Sequence, residues 1–330
     1  MSQTQTRPKV LVARQIFPEG LARLQAVCDV TYHDQETPLT KAELAQKLIG
    51  MDGALVSGSE RIDAQTLTQA KQLKMVANIA VGYNNFDLPA MTHANVMASN
   101  TPDVLTDTTA DLGFALLMAA ARRLSESEHW LRAGNWKRWD LGGMLGVDIH
   151  HSTLAIMGMG RIGQGIAKRG LGFGMKVIYH NRTRLSPELE EECQARYVDK
   201  ATLLKEADHL VLVMPYTPEN HHLIGAAEFS QMKSTATLVN IARGGIVDEV
   251  ALVEALKNKR IFAAGLDVYE GEPNINPELL NVPNIVLAPH IGSASKKTRY
   301  GMMNLAIDNL LQGLSGERPR QLLNPEAFVA

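Results

Sequence analysis

The sequence predicts an α/β protein built on doubly wound parallel sheets, and three observations carry that prediction. Short apolar runs suited to buried parallel strands recur along the chain, and helical spacings lie between them. One of the runs ends in three glycines at the spacing of a dinucleotide-binding turn. At 330 residues the chain exceeds one ordinary compact core, so two domains are expected.

In order, residues 9–13 form an apolar strand, and Leu21, Leu24 and Val27 follow at helical spacing. Residues 53–56 and 75–79 are further strands, with helical patterns over 41–49 and 87–94. The first hundred residues thus make a small parallel α/β layer of their own. Asn100-Thr101-Pro102-Asp103 interrupts the alternation, because Pro102 drives Thr101 out of helical geometry, and this marks a hinge. Residues 110–121 are apolar nearly all round, which suits either a central domain helix or a dimer-contact helix. Residues 125–146, with Trp130, Trp136 and Trp139, look too irregular for a compact element and read as a functional or interfacial excursion.

The glycine turn comes next. Leu154 to Met157 supply a strand, and Ile162, Ile166 and Ala167 recur at helical spacing after it. Gly158 permits the sharp turn, Gly160 the approach of a pyrophosphate, and Gly163 close packing of helix on strand. Phosphates would sit on the unpaired N–H groups and positive dipole end of that helix. The next strand, residues 176–180, leads into Asn181, Arg182, Thr183 and Arg184, where NAD-selective sites place an acid on the ribose 2′-hydroxyl. Here guanidinium groups replace the acid, and they form charge-assisted bonds to a 2′-phosphate. NADPH is therefore the expected cofactor, with NADH as the lesser one.

Strands at residues 209–213, 236–240, 261–266 and 284–288, with helical segments at 200–205 and 249–256, complete a second sheet. An amphipathic helix over 295–314 follows. Three strand ends deliver chemistry to the carboxyl edge, where open α/β sheets bind ligands: Arg243, the stretch from Asp267 to Glu272, and His290. Reduction of a 2-oxo acid asks for those types. Arg243 can grip a planar carboxylate with two parallel bonds and polarise the adjacent carbonyl. His290 can give the carbonyl oxygen its proton, and Glu272 would favour the imidazolium and fix its tautomer.

A hydrophobic content of 45 % with 21 % charged residues is that of a soluble globular protein, and a net charge of −2 leaves no footprint for nucleic acid or an anionic membrane. The first nine residues are polar, and the longest nearly apolar run, residues 112–121, is about half of a bilayer span, so a cytoplasmic protein is expected. Cys28 and Cys193 read as reduced structural thiols. The His150-His151 pair has no acidic or cysteine partner at a ligand spacing, and His221-His222 reads as surface, so no metal is expected.

The motifs Gly158-Met-Gly-Arg-Ile-Gly163, Asn240-Ile-Ala-Arg-Gly-Gly245, Gly265-Leu-Asp-Val268 and Pro289-His-Ile-Gly-Ser293 resemble the D-isomer-specific 2-hydroxyacid dehydrogenase family. Ala80-Val-Gly-Tyr-Asn-Asn-Phe-Asp87 and the stretch from Asn100 to Asp111 are similar to its glyoxylate/hydroxypyruvate reductase and 2-ketogluconate reductase branch. The likeness spans nearly the whole chain. It implies two Rossmann-like doubly wound parallel-sheet domains with a cleft between them: a discontinuous substrate domain, 1–101 and 294–330, and an NADP-binding domain, 102–293.

By the same resemblance Arg243, Glu272 and His290 are the catalytic set, with His290 the proton donor. Ser57, Val81, Gly82 and Arg243 bind the substrate. Gly158, Gly160, Arg161, Ile162 and Gly163 lie at the pyrophosphate, and Asn181, Arg182 and Arg184 at the adenosine ribose phosphate. Thr109, Pro215, Ile241, Asp267 and Gly292 line the pocket towards the nicotinamide. A homodimer formed through the cofactor domain is implied as well. The implied reaction is NADPH-dependent reduction of glyoxylate, hydroxypyruvate or 2-ketogluconate to the D-2-hydroxy acid.

Formate dehydrogenases of the superfamily carry glutamine where Glu272 stands, and phosphite dehydrogenases lysine in place of Val81. Where close relatives hold a tryptophan in the loop before the dinucleotide strand, this chain holds Met144 or Leu145. Two other readings share the fold: a nucleotide-sensing binding protein or corepressor, and an NAD-dependent D-2-hydroxyacid dehydrogenase of other specificity.

Overall fold

A computed structural model of the chain describes residues 7–328. The expectation of a polar start falls mainly on residues 1–6, outside the described residues. The chain divides into two compact units, one running to Leu105 and resuming at Ser295, the other spanning Thr106–Ala294.

The first unit holds five parallel strands, Lys9–Val12 (β1), Asp29–Tyr32 (β2), Gly53–Val56 (β3), Met75–Asn78 (β4) and Met97–Ser99 (β5), in the order β2-β1-β3-β4-β5. Strand residues alternate between two cores, as the pleat requires. Leu11, Ala54, Val56 and Val76 pack under Leu44, Leu67 and Met91 on one face. Val10, Val12, Leu55 and Met75 pack under Leu24, Met303, Ile307 and Leu310 on the other. The sheet is therefore completed from the far end of the chain: the helix Lys296–Leu314 returns to cover strands formed by the first hundred residues.

The second unit holds seven parallel strands, Thr153–Met157 (β6), Lys176–His180 (β7), Ala195–Tyr197 (β8), His209–Leu212 (β9), Thr237–Asn240 (β10), Ala263–Leu266 (β11) and Ile285–Leu287 (β12). Their order is β12-β11-β10-β9-β6-β7-β8. The chain winds outward from β6 through β7 and β8, then crosses back to β9 and winds the other way. The switch point between β6 and β9 is where such sheets bind ligands.

The twelve strands among the described residues include three that the sequence pattern does not show, β2, β5 and β8, and all three are sheet edges. Asp29–Tyr32 and Ala195–Tyr197 are partly exposed and mix polar with apolar residues, so neither shows an apolar run. The expectation for residues 125–146 is corrected in part. A helix, Leu124–Arg132, opens the stretch but buries none of its residues, and the irregular part begins after it. The apolar helix Thr106–Ala121 buries Ala110, Phe114, Leu117 and Ala121 in the core of its own unit, which accounts for its composition as a central domain helix. No helix among the described residues is long and apolar enough to cross a membrane.

Candidate active site

The dinucleotide turn joins β6 to the helix Arg161–Gly172. Gly158 adopts φ of +101°, and a Cβ there would lie 2.7 Å from the Met214 nitrogen just past the end of β9. Only glycine fits a turn both left-handed and so close to backbone. Gly163 faces Gly158 O, where a Cβ would come within 2.5 Å, whereas around Gly160 nothing lies within 4 Å of such an atom. The helix therefore packs tightly on its strand while the backbone at Gly160 stays open to a ligand. Asn181 fastens the turn from the next strand end, its Oδ1 accepting the Met159 amide at 2.6 Å.

The two arginines after β7 differ. Arg184 makes a paired contact with Glu190, Nε to Oε1 at 2.8 Å and Nη2 to Oε2 at 2.7 Å. Tyr179 donates to the same Glu190 Oε1 at 2.6 Å. The bonds from Arg184 and then Tyr179 hold the Glu190 carboxyl down at about 2. Burial, and then that bond, push the Tyr179 phenol up to about 12. Arg182 forms no hydrogen bond or ion pair among the described residues, so its guanidinium keeps all its donors. The fit to a 2′-phosphorylated ribose rests mainly on Arg182, with Arg184 already half neutralised.

At the far half of the same sheet edge, His290 Nδ1 lies 2.7 Å from Glu272 Oε2. Tyr269 N–H donates to the other carboxylate oxygen at 2.8 Å. Burial pushes the Glu272 carboxyl up, but the bond and charge of His290, the Tyr269 amide and the Arg243 charge together hold it below its ordinary value. With Nδ1 engaged, the imidazole presents Nε2, which has no partner among the described residues. The His290 backbone adopts φ of +52°, and the carboxylate of Asp267 pins the following turn, accepting from Ile291 N at 2.7 Å and Gly292 N at 2.8 Å. Asp267 is buried, and desolvation raises its carboxyl above the ordinary value despite those two bonds.

Arg243 follows β10 in a turn clamped by Asn240, whose Oδ1 accepts Ala242 N and whose Nδ2 donates to Arg243 O, both at 3.0 Å. Desolvation lowers the Arg243 guanidinium, and the charge of Glu272 opposes it. Gly244 beside it packs face to face on the Tyr269–Glu270 peptide, with Tyr269 O 1.8 Å from where a Cβ would be. The Arg243 turn and the Glu272 turn are thus in backbone contact. Of the remaining expected residues, Thr109 packs at Gly292, Ile241 is buried under Gly113, and Pro215 O accepts from Asn220 Nδ2 at 2.7 Å.

In the first unit, Ser57 directs its hydroxyl to Glu60 Oε2 at 2.8 Å, and buried Glu60 pairs with Arg14 at 2.8 Å. Asn78 donates to Gly82 O and to Asn85 Oδ1, and Asn100 to Val81 O. The carbonyls of Val81 and Gly82 are held while their amides have no acceptor among the described residues. Asn85, Asn100 and Asn240 lie within motifs that carry the resemblance, whereas Glu60 and Asn78 do not stand out in the sequence. Their only signal is a polar residue within or just past an apolar strand, which many surface residues share.

Residues 114–292 match the family described as D-isomer specific 2-hydroxyacid dehydrogenase, NAD binding domain. A glyoxylate reductase of Thermococcus onnurineus is 45 % identical over 326 residues, covering 98 % of this chain and 97 % of its own. The glyoxylate/hydroxypyruvate reductase B of Klebsiella pneumoniae is 42 % identical over 322 residues, covering 97 % and 99 %. Among solved structures, an NADPH-dependent glyoxylate/hydroxypyruvate reductase from Sinorhizobium meliloti, in complex with NADP and malonate, superposes with a TM-score of 0.88. It is 32 % identical and covers 98 % of this chain and 99 % of its own. With the glycine turn at the switch point and the Arg243, Glu272 and His290 turns on one sheet edge, the chain belongs to the D-isomer-specific 2-hydroxyacid dehydrogenase family, in its glyoxylate/hydroxypyruvate reductase branch, and is an NAD(P)-dependent oxidoreductase.

Proposed function

We propose that this protein reduces small 2-oxo acids, glyoxylate, hydroxypyruvate or 2-ketogluconate, to D-2-hydroxy acids with NADPH. The observation that carries the reading is the Glu272–His290 contact beside the Arg243 turn. NADPH, when bound, supplies the hydride. Gly158 and Gly163 set the tight turn and the close packing of helix on strand, and Gly160 leaves room for its pyrophosphate against the helix N–H groups of Arg161 and Ile162. Arg182 takes the 2′-phosphate, with Asn181 and Arg184 beside it, and Thr109, Pro215, Ile241, Asp267 and Gly292 flank the nicotinamide.

Arg243 holds the substrate carboxylate and polarises the carbonyl, and Val81 and Gly82 offer their free amides to the substrate. Ser57, held by Glu60, faces the substrate tail. The imidazolium form of His290, its Nδ1–H donated to Glu272, gives its Nε2 proton to the carbonyl oxygen as the alcohol forms. Glu272 stays ionised and stabilises the imidazolium until that transfer. Residues up to 105 and from 295 serve substrate, and residues 106–294 the cofactor. The exposed Trp130, Leu131, Trp136 and Trp139 mark the surface through which two copies pair.

Steady-state reduction of glyoxylate, hydroxypyruvate, 2-ketogluconate and pyruvate with NADPH and with NADH tests the reading. It expects the highest kcat/KM for one of the first three with NADPH. Tight NADPH binding without turnover of any of them would reject it in favour of a nucleotide-sensing role.

A further inference from the structure

Two histidines that the sequence assigns to the surface meet a carboxylate in the folded chain. His222 Nε2 lies 2.9 Å from Glu270 Oε2, and His221 Nε2 lies 4.0 Å from Glu270 Oε1. Adjacent side chains ordinarily diverge, but His222 sits at φ of +51°, and the two imidazoles stack with centroids 3.9 Å apart and planes 22° from parallel. One donor atom from each of the three residues lies within 4.8 Å of the others.

We propose that His221, His222 and Glu270 form a binding site for a borderline divalent transition ion, with Zn²⁺ as its representative. Two imidazole nitrogens and a carboxylate oxygen are the donors such ions favour, whereas Mg²⁺ and Ca²⁺ prefer oxygen alone. Bonds of about 2.0–2.2 Å in a tetrahedral arrangement set donors about 3.4 Å apart. His222 Nε2 stands 2.9 Å from one Glu270 oxygen and His221 Nε2 4.0 Å from the other, so side-chain rotations bring both nitrogens to that spacing from a single carboxylate oxygen and leave the fourth position to water. His221 Nδ1 faces the Tyr216 hydroxyl at 3.3 Å, an outer partner that fixes which nitrogen points inward. All three side chains are part exposed, so a hydrated ion has access.

The site ties together three strand-end turns. Glu270 stands two residues before Glu272, and its amide donates to Glu249 Oε1 at 2.7 Å. The His222 amide donates at 2.6 Å to the carbonyl of Gly245, two residues after Arg243. An ion held here braces the turns that carry Arg243 and Glu272 without using a catalytic residue as ligand, and it stabilises the folded chain by mass action.

Calorimetric titration of the full-length, metal-stripped protein with Zn²⁺ and with Mg²⁺ tests this, alongside thermal unfolding. The expected result is one Zn²⁺ per chain at micromolar affinity, a raised Tm, and no response to Mg²⁺. His222→Gln weakens Zn²⁺ binding by about tenfold or more and abolishes the rise in Tm. Glu270→Gln does the same, which guards against a defect peculiar to one variant. His290→Gln retains the binding. Unchanged affinity in both His222→Gln and Glu270→Gln, loss of binding in His290→Gln, or wild-type affinity no better than millimolar would each overturn the assignment. None of these outcomes depends on which substrate the enzyme reduces.

Discussion

Substitution Gly244→Ala puts the backbone contact between the Arg243 and Glu272 turns under direct strain. A Cβ at this position would lie 1.8 Å from Tyr269 O, 1.9 Å from Tyr269 C and 2.4 Å from Glu270 N. Ordinary contact begins at 3.4 Å, so the Tyr269–Glu270 peptide and the Arg243 turn must separate by about 1.6 Å. All three clashing atoms are backbone, so no side-chain rotation relieves them. Tyr269 N–H holds the Glu272 carboxylate, and Glu272 holds His290, so the displacement is passed to His290. A misplacement of about 1 Å costs on the order of 10²-fold in rate, or about 2.7 kcal/mol of barrier. The glycine turn at β6 lies on other strands and should keep its ligand. Steady-state kinetics and fluorescence titration with NADPH are the assay: kcat should fall about 100-fold while the NADPH Kd changes by less than about threefold. A kcat within about threefold of wild type, with circular dichroism showing a folded protein, would refute the coupling of the two turns.

Arg182→Ala should lower kcat/KM for NADPH by about 10- to 100-fold and leave NADH use nearly unchanged, because one charge-assisted bond contributes about 1.5–3 kcal/mol. Arg184→Ala should cost NADPH use less, since Glu190 already occupies that guanidinium. Equal losses with both cofactors would count against the phosphate role. Glu272 sits below its ordinary value of 4.5 in the folded chain, so the unfolded chain binds more protons in that window and stability rises with pH through it. Its contribution is complete above the ordinary value and disappears as pH falls through the folded one. The urea midpoint of Glu272→Gln should therefore fall less than that of wild type between neutral pH and pH about 3. Parallel acid limbs would show that Glu272 is not held in this way.

What is legible in the sequence follows from the physics each residue obeys. Central strands such as β3, β4, β6 and β10 are buried on both faces, and their unbroken apolar runs announce them. The edge strands β2 and β8 face water on part of their surface and carry no such run. The three glycines of the cofactor turn are readable because their spacing reflects a backbone requirement local in sequence. Glu272 and His290, 18 residues apart, are readable because both follow strands of one parallel sheet and must emerge at one edge. Arg184 is legible as a cation but not as the partner of Glu190, since that contact depends on where the short helix Pro187–Glu192 begins. The convergence of His221, His222 and Glu270 is not legible at all, because it needs a left-handed residue and a partner 48 positions away.

The measurement that tests the central claim most directly is turnover by His290→Gln set beside its NADPH affinity. If His290 gives the carbonyl its proton, kcat with glyoxylate falls by about 10²- to 10⁴-fold while the NADPH Kd stays within about threefold of wild type. Turnover within about tenfold of wild type, at unchanged NADPH affinity, would contradict the assignment of His290 as the acid.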